Sequence, residues 1–284
     1  MTKVLLVGNS INRLSDGPAW DAVMSDLAAG AGISPARIEG KPLPIVYEAI
    51  VARAGRDENA LKRDLANSMR SMRPNWAHRQ LVGMGIPHIL TTNYDYCLEA
   101  GINAKRSSAN LARETTYSAF RRSRCGSLHI WHIHGEIDAP RTILLGLHQY
   151  AGYLQKLRGY FTASPKESPF RLGVPNFDFE TGRFSWADLF LRDDIHIVGL
   201  TMDYVELPLW WLVTYKLRLA RTDSLRGATH FYHFDAPGQT GDVAVRLDML
   251  GDLGVDVHRV AVHSTEPNDW RIAHEEAFAQ IAVA

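Results

Sequence analysis

Ile86-Pro87-His88-Ile89-Leu90-Thr91-Thr92-Asn93-Tyr94-Asp95 is the stretch on which the fold turns. The apolar run after Pro87 has the length and composition of a buried strand. It ends in hydroxyl, amide and carboxylate groups just ahead of a helical segment, Tyr96 to Ala100. A strand that delivers polar side chains into a loop before a helix places them at the carboxyl edge of an α/β sheet, where ligands bind. Ser127 to Ile133 is a second apolar run, and it ends at His134, Gly135 and Glu136. The two strand ends, one with an amide and a carboxylate and the other with an imidazole, can converge on one pocket.

Upstream, Lys3 to Val7 is apolar after Lys3 and suits the centre of a parallel sheet covered on both faces. Gly8-Asn9-Ser10-Ile11-Asn12-Arg13 follows, then a helix from about Pro18 to Ala29. Strand, small polar turn and helix can hold a phosphate on backbone N–H groups. Only Gly8 of the usual glycines is present and G-x-G-x-x-G is absent, so an ordinary strand-to-helix turn is an equal reading. Ile45 to Met84 has helical spacing throughout and is too long for one crossover, which points to an inserted helical layer.

Downstream, Lys105 to Arg124 is polar, and Arg121, Arg122 and Arg124 read as a solvated face. Arg141 to Leu145 reads as a brief strand, Gly146 to Arg158 as a helix, Gly159 to Gly182 as loop-rich, and Arg183 to Leu191 as a short amphipathic helix. Asp194 to Val198 is another strand, ending at Gly199-Leu200-Thr201-Met202-Asp203. Helix Val205 to Arg221, strand Thr229 to Phe234, helix Gly241 to Leu250, strand Val255 to Val260 and helix Trp270 to Ile281 complete the alternation. Such alternation means an α/β fold, a parallel sheet with helices on both faces. The chain reads as a single domain over residues 1–284, with a helical insertion at about 35–85 and a loop-rich insertion at about 159–182.

A chain of 284 residues buries roughly 75% of its unfolded surface without staples. Lysine plus arginine and aspartate plus glutamate both count 31, so no global field attracts nucleic acid or an anionic membrane. Cys97 and Cys125 lack metal-ribbon spacing, and a reducing, cytoplasmic setting is expected. The N-terminus carries no signal-peptide pattern. The apolar run Leu207 to Leu219 contains Pro208, Lys216 and Arg218 and falls short of the ~20 residues of a membrane span, so it reads as a buried helix.

Gly8-Asn9-Ser10-Ile11-Asn12 with Gly17-Pro18-Ala19-Trp20, then Thr91-Thr92-Asn93-Tyr94-Asp95, His134-Gly135 and Gly199-Leu200-Thr201-Met202-Asp203 follow one another in a familiar order. In that order and approximate spacing the chain resembles the sirtuin-like superfamily, and most of all its prokaryotic antiphage-defence branch of NAD hydrolases. The resemblance implies a Rossmann-like NAD-binding sheet and cleavage between nicotinamide and ribose. It implies catalytic roles for Asn93, His134 and Asp95, and NAD contacts from Gly8, Asn9, Ser10, Asn12, Arg13, Trp20, Thr92, Gly199, Thr201 and Asp203. Ser10 stands where the family usually has a second glycine, and Asn12 where it has a serine, so the pyrophosphate grip departs from the family pattern. The zinc ribbon of sirtuin deacylases has no counterpart, which favours the hydrolase branch over protein deacylation.

The residue types suit that chemistry by themselves. Loss of nicotinamide leaves an electron-poor ribosyl oxocarbenium, so the site must position water and accept a proton, a task for an imidazole. Other roles are open to the same residues. Asn93 and Asp95 can cap the helix beginning near Tyr96, and His132 with His134 can form an H-x-H metal pair. Gly135 lets backbone approach a ligand. The leading expectation is a regulated NAD hydrolase of antiphage defence, with NAD as substrate and no metal, working as a homo-oligomer or with a regulatory partner protein. A non-catalytic sensor of NAD or ADP-ribose and an NAD-dependent protein deacylase are the alternatives.

Overall fold

Strand β1 (Lys3–Val7) is buried on both faces, with Val4 and Leu6 in one apolar layer and Leu5 and Val7 in the other. The computed structural model describes residues 1–15, 17–109, 116–117, 119–162, 184–221, 226–239 and 241–284. Among them is a sheet of eight strands. From edge to edge its order is β3 (Arg106–Ala109), β4 (Arg122–Cys125), β5 (Leu128–His132), β2 (His88–Thr91), β1, β6 (Asp194–Val198), β7 (Thr229–Asp235) and β8 (Asp256–Ala261). From β5 to β8 every neighbouring pair is parallel. The sheet is thus mostly parallel and Rossmann-like, with helices on both faces.

On the face of Val4 and Leu6 lie α6 (Leu147–Thr162), α7 (Trp186–Arg192), α8 (Leu207–Ala220) and α9 (Gly241–Asp252), packed through Tyr153, Leu189, Phe190, Leu212 and Leu250. On the other face lie α4 (Trp76–Gly83), α5 (Cys97–Ala100) and α10 (Pro267–Val283), packed through Leu81, Leu98, Ala277 and Phe278. A third cluster joins α1 (Trp20–Gly30), α2 (Leu43–Arg53) and α3 (Glu58–Met69) around Met24, Tyr47, Ile50 and Leu65. That helical layer reaches the carboxyl edge of the sheet through Tyr94, Ile137, Ile143 and Leu145. The β1 strand is flanked by β2 on one side and β6 on the other, so chain connections diverge at its carboxyl end and open a crevice there.

Several local expectations need correction. The polar stretch before β5 holds an antiparallel edge, because Gly126 at φ 63° and Ser127 form a tight turn that pairs Cys125 with Leu128. Nor is it a solvated face: Arg121 is buried and paired with Glu136 at 2.9 Å, and Arg122 is buried over the rings of Trp131 and Phe184, leaving only Arg124 exposed. The Arg141 to Leu145 segment is no strand; Pro140–Thr142 is a turn of 3-10 helix, and the Leu144 N–H donates to the His134 carbonyl. Helix α7 is buried on nearly every side rather than amphipathic, started by a Ser185–Asp188 capping box. Of the expected loop-rich span, residues 159–162 finish α6 and those from 163 to 182 lie outside the described residues.

The apolar Leu207 to Leu219 run forms α8 with Leu209, Leu212 and Val213 inward, and no helix among the described residues is long and apolar enough to cross a membrane. At the far edge, β8 exposes Asp256 and Arg259, the latter bonded through both its Nε and a terminal nitrogen to Asp235.

Burial governs the ring charges in this core. It pulls His78, His196 and His274 down to about 4 and His88 to about 3, all of them packed as neutral rings. Groups held below their unfolded value of about 6.5 lend stability that is complete above that pH and is lost as pH falls toward the folded values. At pH 5.5 each is expected to cost on the order of 1 kcal/mol, or roughly 3 °C in Tm for a domain of this size. A thermal melt series from pH 7.5 to 5 measures this, and a flat Tm would contradict the burial of neutral rings.

Candidate functional site

Two backbone turns meet at the carboxyl ends of β1 and β6. The Gly8 N–H donates to the Val198 carbonyl at 2.9 Å and the Ser10 N–H to the Gly199 carbonyl at 3.0 Å. A Cβ on Gly8 would lie 2.2 Å from the Gly199 oxygen, so glycine is demanded here by the crossing of the chain with itself. Just beyond, buried Met202 holds φ 49°, a left-handed conformation uncommon outside glycine. A cavity of about 550 Å³ opens above these turns, within the range of small-ligand sites. The first turn, α1, the segment Gly40–Pro44, the β2 and β5 ends and the Gly199–Glu206 loop supply its walls.

Of the residues singled out in the sequence, Asn9, Ser10, Arg13, Trp20, Thr92, His134, Gly199, Thr201 and Asp203 line this cavity. Arg13 is exposed on its wall, and Trp20 packs against Tyr94 with ring centroids 4.9 Å apart. The Ser10 amide is already used by Gly199, so the first turn does not present it to a phosphate. Gly8 lies beneath the cavity as part of the crossing, and Asn12, Asn93 and Asp95 do not line it either.

Asn93 is buried with its Nδ2 donating to the Gly8 carbonyl at 3.3 Å, while Oδ1 has no partner among the described residues. Asp95 accepts from the Cys97 N–H at 2.9 Å, the local tie to the helix start that its sequence position allows, and from Asn12 Nδ2 at 2.8 Å. Asn12 in turn meets His78 Nε2 at 2.9 Å. His78, Asp95 and Cys97 bring ligand-type atoms within 4.8 Å of one another, but the histidine and the carboxylate are already engaged in this network. Burial, followed by the Asp95 charge, also pushes the Cys97 thiol far up.

His132 and His134 part company. His132 Nε2 lies 2.9 Å from Glu99 and its Nδ1 2.8 Å from the Asn93 carbonyl, on the far side from the cavity. Burial alone would lower this ring, yet the Glu99 carboxylate, then the Glu136 charge and the Asn93 carbonyl, lift it to about 9, which favours a buried cation that clamps the β2 end. His134 lies past the strand end, 3% exposed, with Nε2 3.3 Å from Oε2 of Glu206 and neither atom hydrogen-bonded among the described residues. Burial brings His134 down to about 3; burial, then the Asp203 charge, lifts Glu206 to about 8. Burial thus works against the charged form of both groups.

Glu206 is a cavity residue that sequence reasoning passed over, as are Asp21, Lys41 and Tyr150. Its one signal is an acidic residue directly ahead of Leu207-Pro208 at the start of α8, which is too common to single out. Gly135 also has a different reason than expected: at φ 98° its missing side chain makes room for the Thr142 backbone, 2.3 Å from where a Cβ would sit, rather than for a ligand.

Residues 87–170 match the SIR2-like domain family. The SIR2-like match begins at the head of β2 and takes in Thr91 to Asp95, His134 and Gly135, the residues that form one wall of the cavity and the buried network behind it. It supports kinship with the sirtuin-like superfamily and an NAD-related activity. No curated protein matches the chain in sequence.

Gly135→Ala is expected to destabilise the fold by about 2–4 kcal/mol, since it adds left-handed strain to a backbone clash. Urea unfolding measures it, and a change below 0.5 kcal/mol would show that the Gly135–Thr142 contact can relax freely.

Proposed function

We propose that the chain hydrolyses NAD at the bond between nicotinamide and ribose, releasing nicotinamide and leaving ADP-ribose or a cyclised form. The observation that carries this reading is the placement of His134, from the SIR2-like stretch, on the wall of a cavity at the sheet's switch point. The same cavity offers Arg13 for phosphate charge, and Thr92, Thr201 and Asp203 for hydroxyl groups. Leaving-group departure needs little nucleophilic force; it needs a held water and a proton acceptor beside the ribose. A neutral, buried imidazole fills the acceptor role. Asn93 orients the loop from behind the wall, and Asp95 fixes the start of α5.

The proposal extends to a regulated effector of antiphage defence, acting as a homo-oligomer or with a regulatory partner, since unrestrained loss of NAD would harm the cell that makes it. Protein deacylation is disfavoured by a sequence with only two cysteines, too few for a four-thiolate ribbon. The suppressed basicity of His134 favours one second reading, a module that binds NAD without turning it over.

Purified protein incubated with NAD is expected to release nicotinamide, and His134→Ala to lower the rate at least ~100-fold. Saturable stabilisation of the fold by NAD with no nicotinamide formed, across oligomeric states and activators, would replace hydrolysis by sensing.

A further inference from the structure

Glu206 and His134 come from different elements, the head of α8 and the end of β5, yet their side chains meet at 3.3 Å on the wall of the same cavity. Each brings a buried polar atom with no hydrogen-bond partner among the described residues, His134 Nε2 and Glu206 Oε2. Buried polar atoms without a partner call for an explanation, and these two face each other at 3.3 Å, close enough for one proton to join them. The remaining titratable neighbours of Glu206 are Asp203 on its own loop, Tyr150 from α6, whose hydroxyl hydrogen-bonds the Glu206 carboxyl, and Tyr94 from the β2 end. All three are acidic or neutral groups, and among the described residues neither Arg13 nor Lys41 of the cavity wall contributes to the Glu206 shift.

We infer that Glu206 and His134 form a proton-accepting pair armed by the positive charge of a bound nicotinamide ring. The inference rests on the NAD hydrolysis reading. In the empty site Glu206 keeps its proton and faces Nε2, so the ring's own proton sits on Nδ1 and no lone pair is open to water. A pyridinium cation entering the cavity favours the carboxylate; the Glu206 proton leaves to solvent, the ring shifts to its Nε2–H tautomer facing that carboxylate, and Nδ1 becomes an acceptor. The C–N bond to nicotinamide then breaks with its electron pair leaving on the pyridine nitrogen. The oxygen of water bonds to the ribose carbon, one water proton passes to Nδ1, and the Nε2 proton passes to Glu206. Atoms and charge balance: NAD and water give nicotinamide, ADP-ribose and one proton, the one shed on binding, and the pair returns to its resting form.

The test uses a carbocyclic analogue of NAD, which keeps the pyridinium charge but cannot form an oxocarbenium, beside NADH, whose ring is uncharged. Binding is followed by calorimetry at pH 7 in buffers of different ionisation heat, which reads out protons released. The wild-type protein is expected to release about one proton with the cationic analogue and close to none with NADH, given a carboxyl lifted to about 8. Glu206→Gln should bind the analogue without release and cut nicotinamide formation from NAD by ~100-fold or more, with Glu206→Asp recovering part of both. Saturable binding of the analogue to wild type with no proton released, or the same release from Glu206→Gln, overturns the pair while nicotinamide formation by wild type leaves hydrolysis standing. If neither the analogue nor NADH binds, the NAD reading falls and the pair falls with it.

Discussion

Two peptide backbones in contact at Gly8 and Gly199 set the geometry on which everything above the sheet depends. Their carbonyl and amide groups bond to each other across the gap between β1 and β6, and the absent side chain at Gly8 is what permits the approach. With that crossing fixed, the first turn rises on one side and the Gly199–Glu206 loop on the other, and the cavity is the space between them. The helical layer of α1, α2 and α3 closes over the same edge through Tyr94, Ile137 and Ile143, so the cavity is bounded by elements remote in sequence that are anchored in three apolar clusters.

Inside this frame, environment rather than residue type decides what each histidine does. His132 and His134 are two positions apart on one strand end, and both are buried. His132 has a carboxylate and a carbonyl at hydrogen-bond distance and becomes a cation that secures the loop carrying Thr92 and Asn93. His134 has the Glu206 carboxyl and the edge of the Tyr150 ring beside it, and burial holds it toward its uncharged form. One ring spends its charge on structure, and the other is left able to take up a proton.

Much of the fold was legible because apolar runs bounded by turn residues have few interpretations. β1 and β6 match their expected limits, and the helices after Ile45 lie where their spacing puts them. The β3–β4 edge escaped notice because Arg122, Ser123 and Arg124 read as a surface, whereas the burial of Arg122 is supported by tertiary partners, Trp131 and Phe184 among them. At the site, motif residues that lead directly into loops, such as Thr92, His134 and Thr201, were readable as cavity wall. The inward turn of Asn93 toward Gly8 depends on the chain crossing, and Glu206 gains its meaning only from a ring brought in by β5; neither relation has a signature in the local sequence.

The last strand, β8, bears on what this molecule does in a crowded solution. Its outward backbone is the place where a foreign strand could add itself to the sheet, and Asp256 and Arg259 put opposite charges along that border, with Arg259 drawn toward Asp235 on the neighbouring strand. An incoming segment would have to desolvate those charges before gaining a ladder, so the end of the sheet is guarded against templated aggregation by its own side chains.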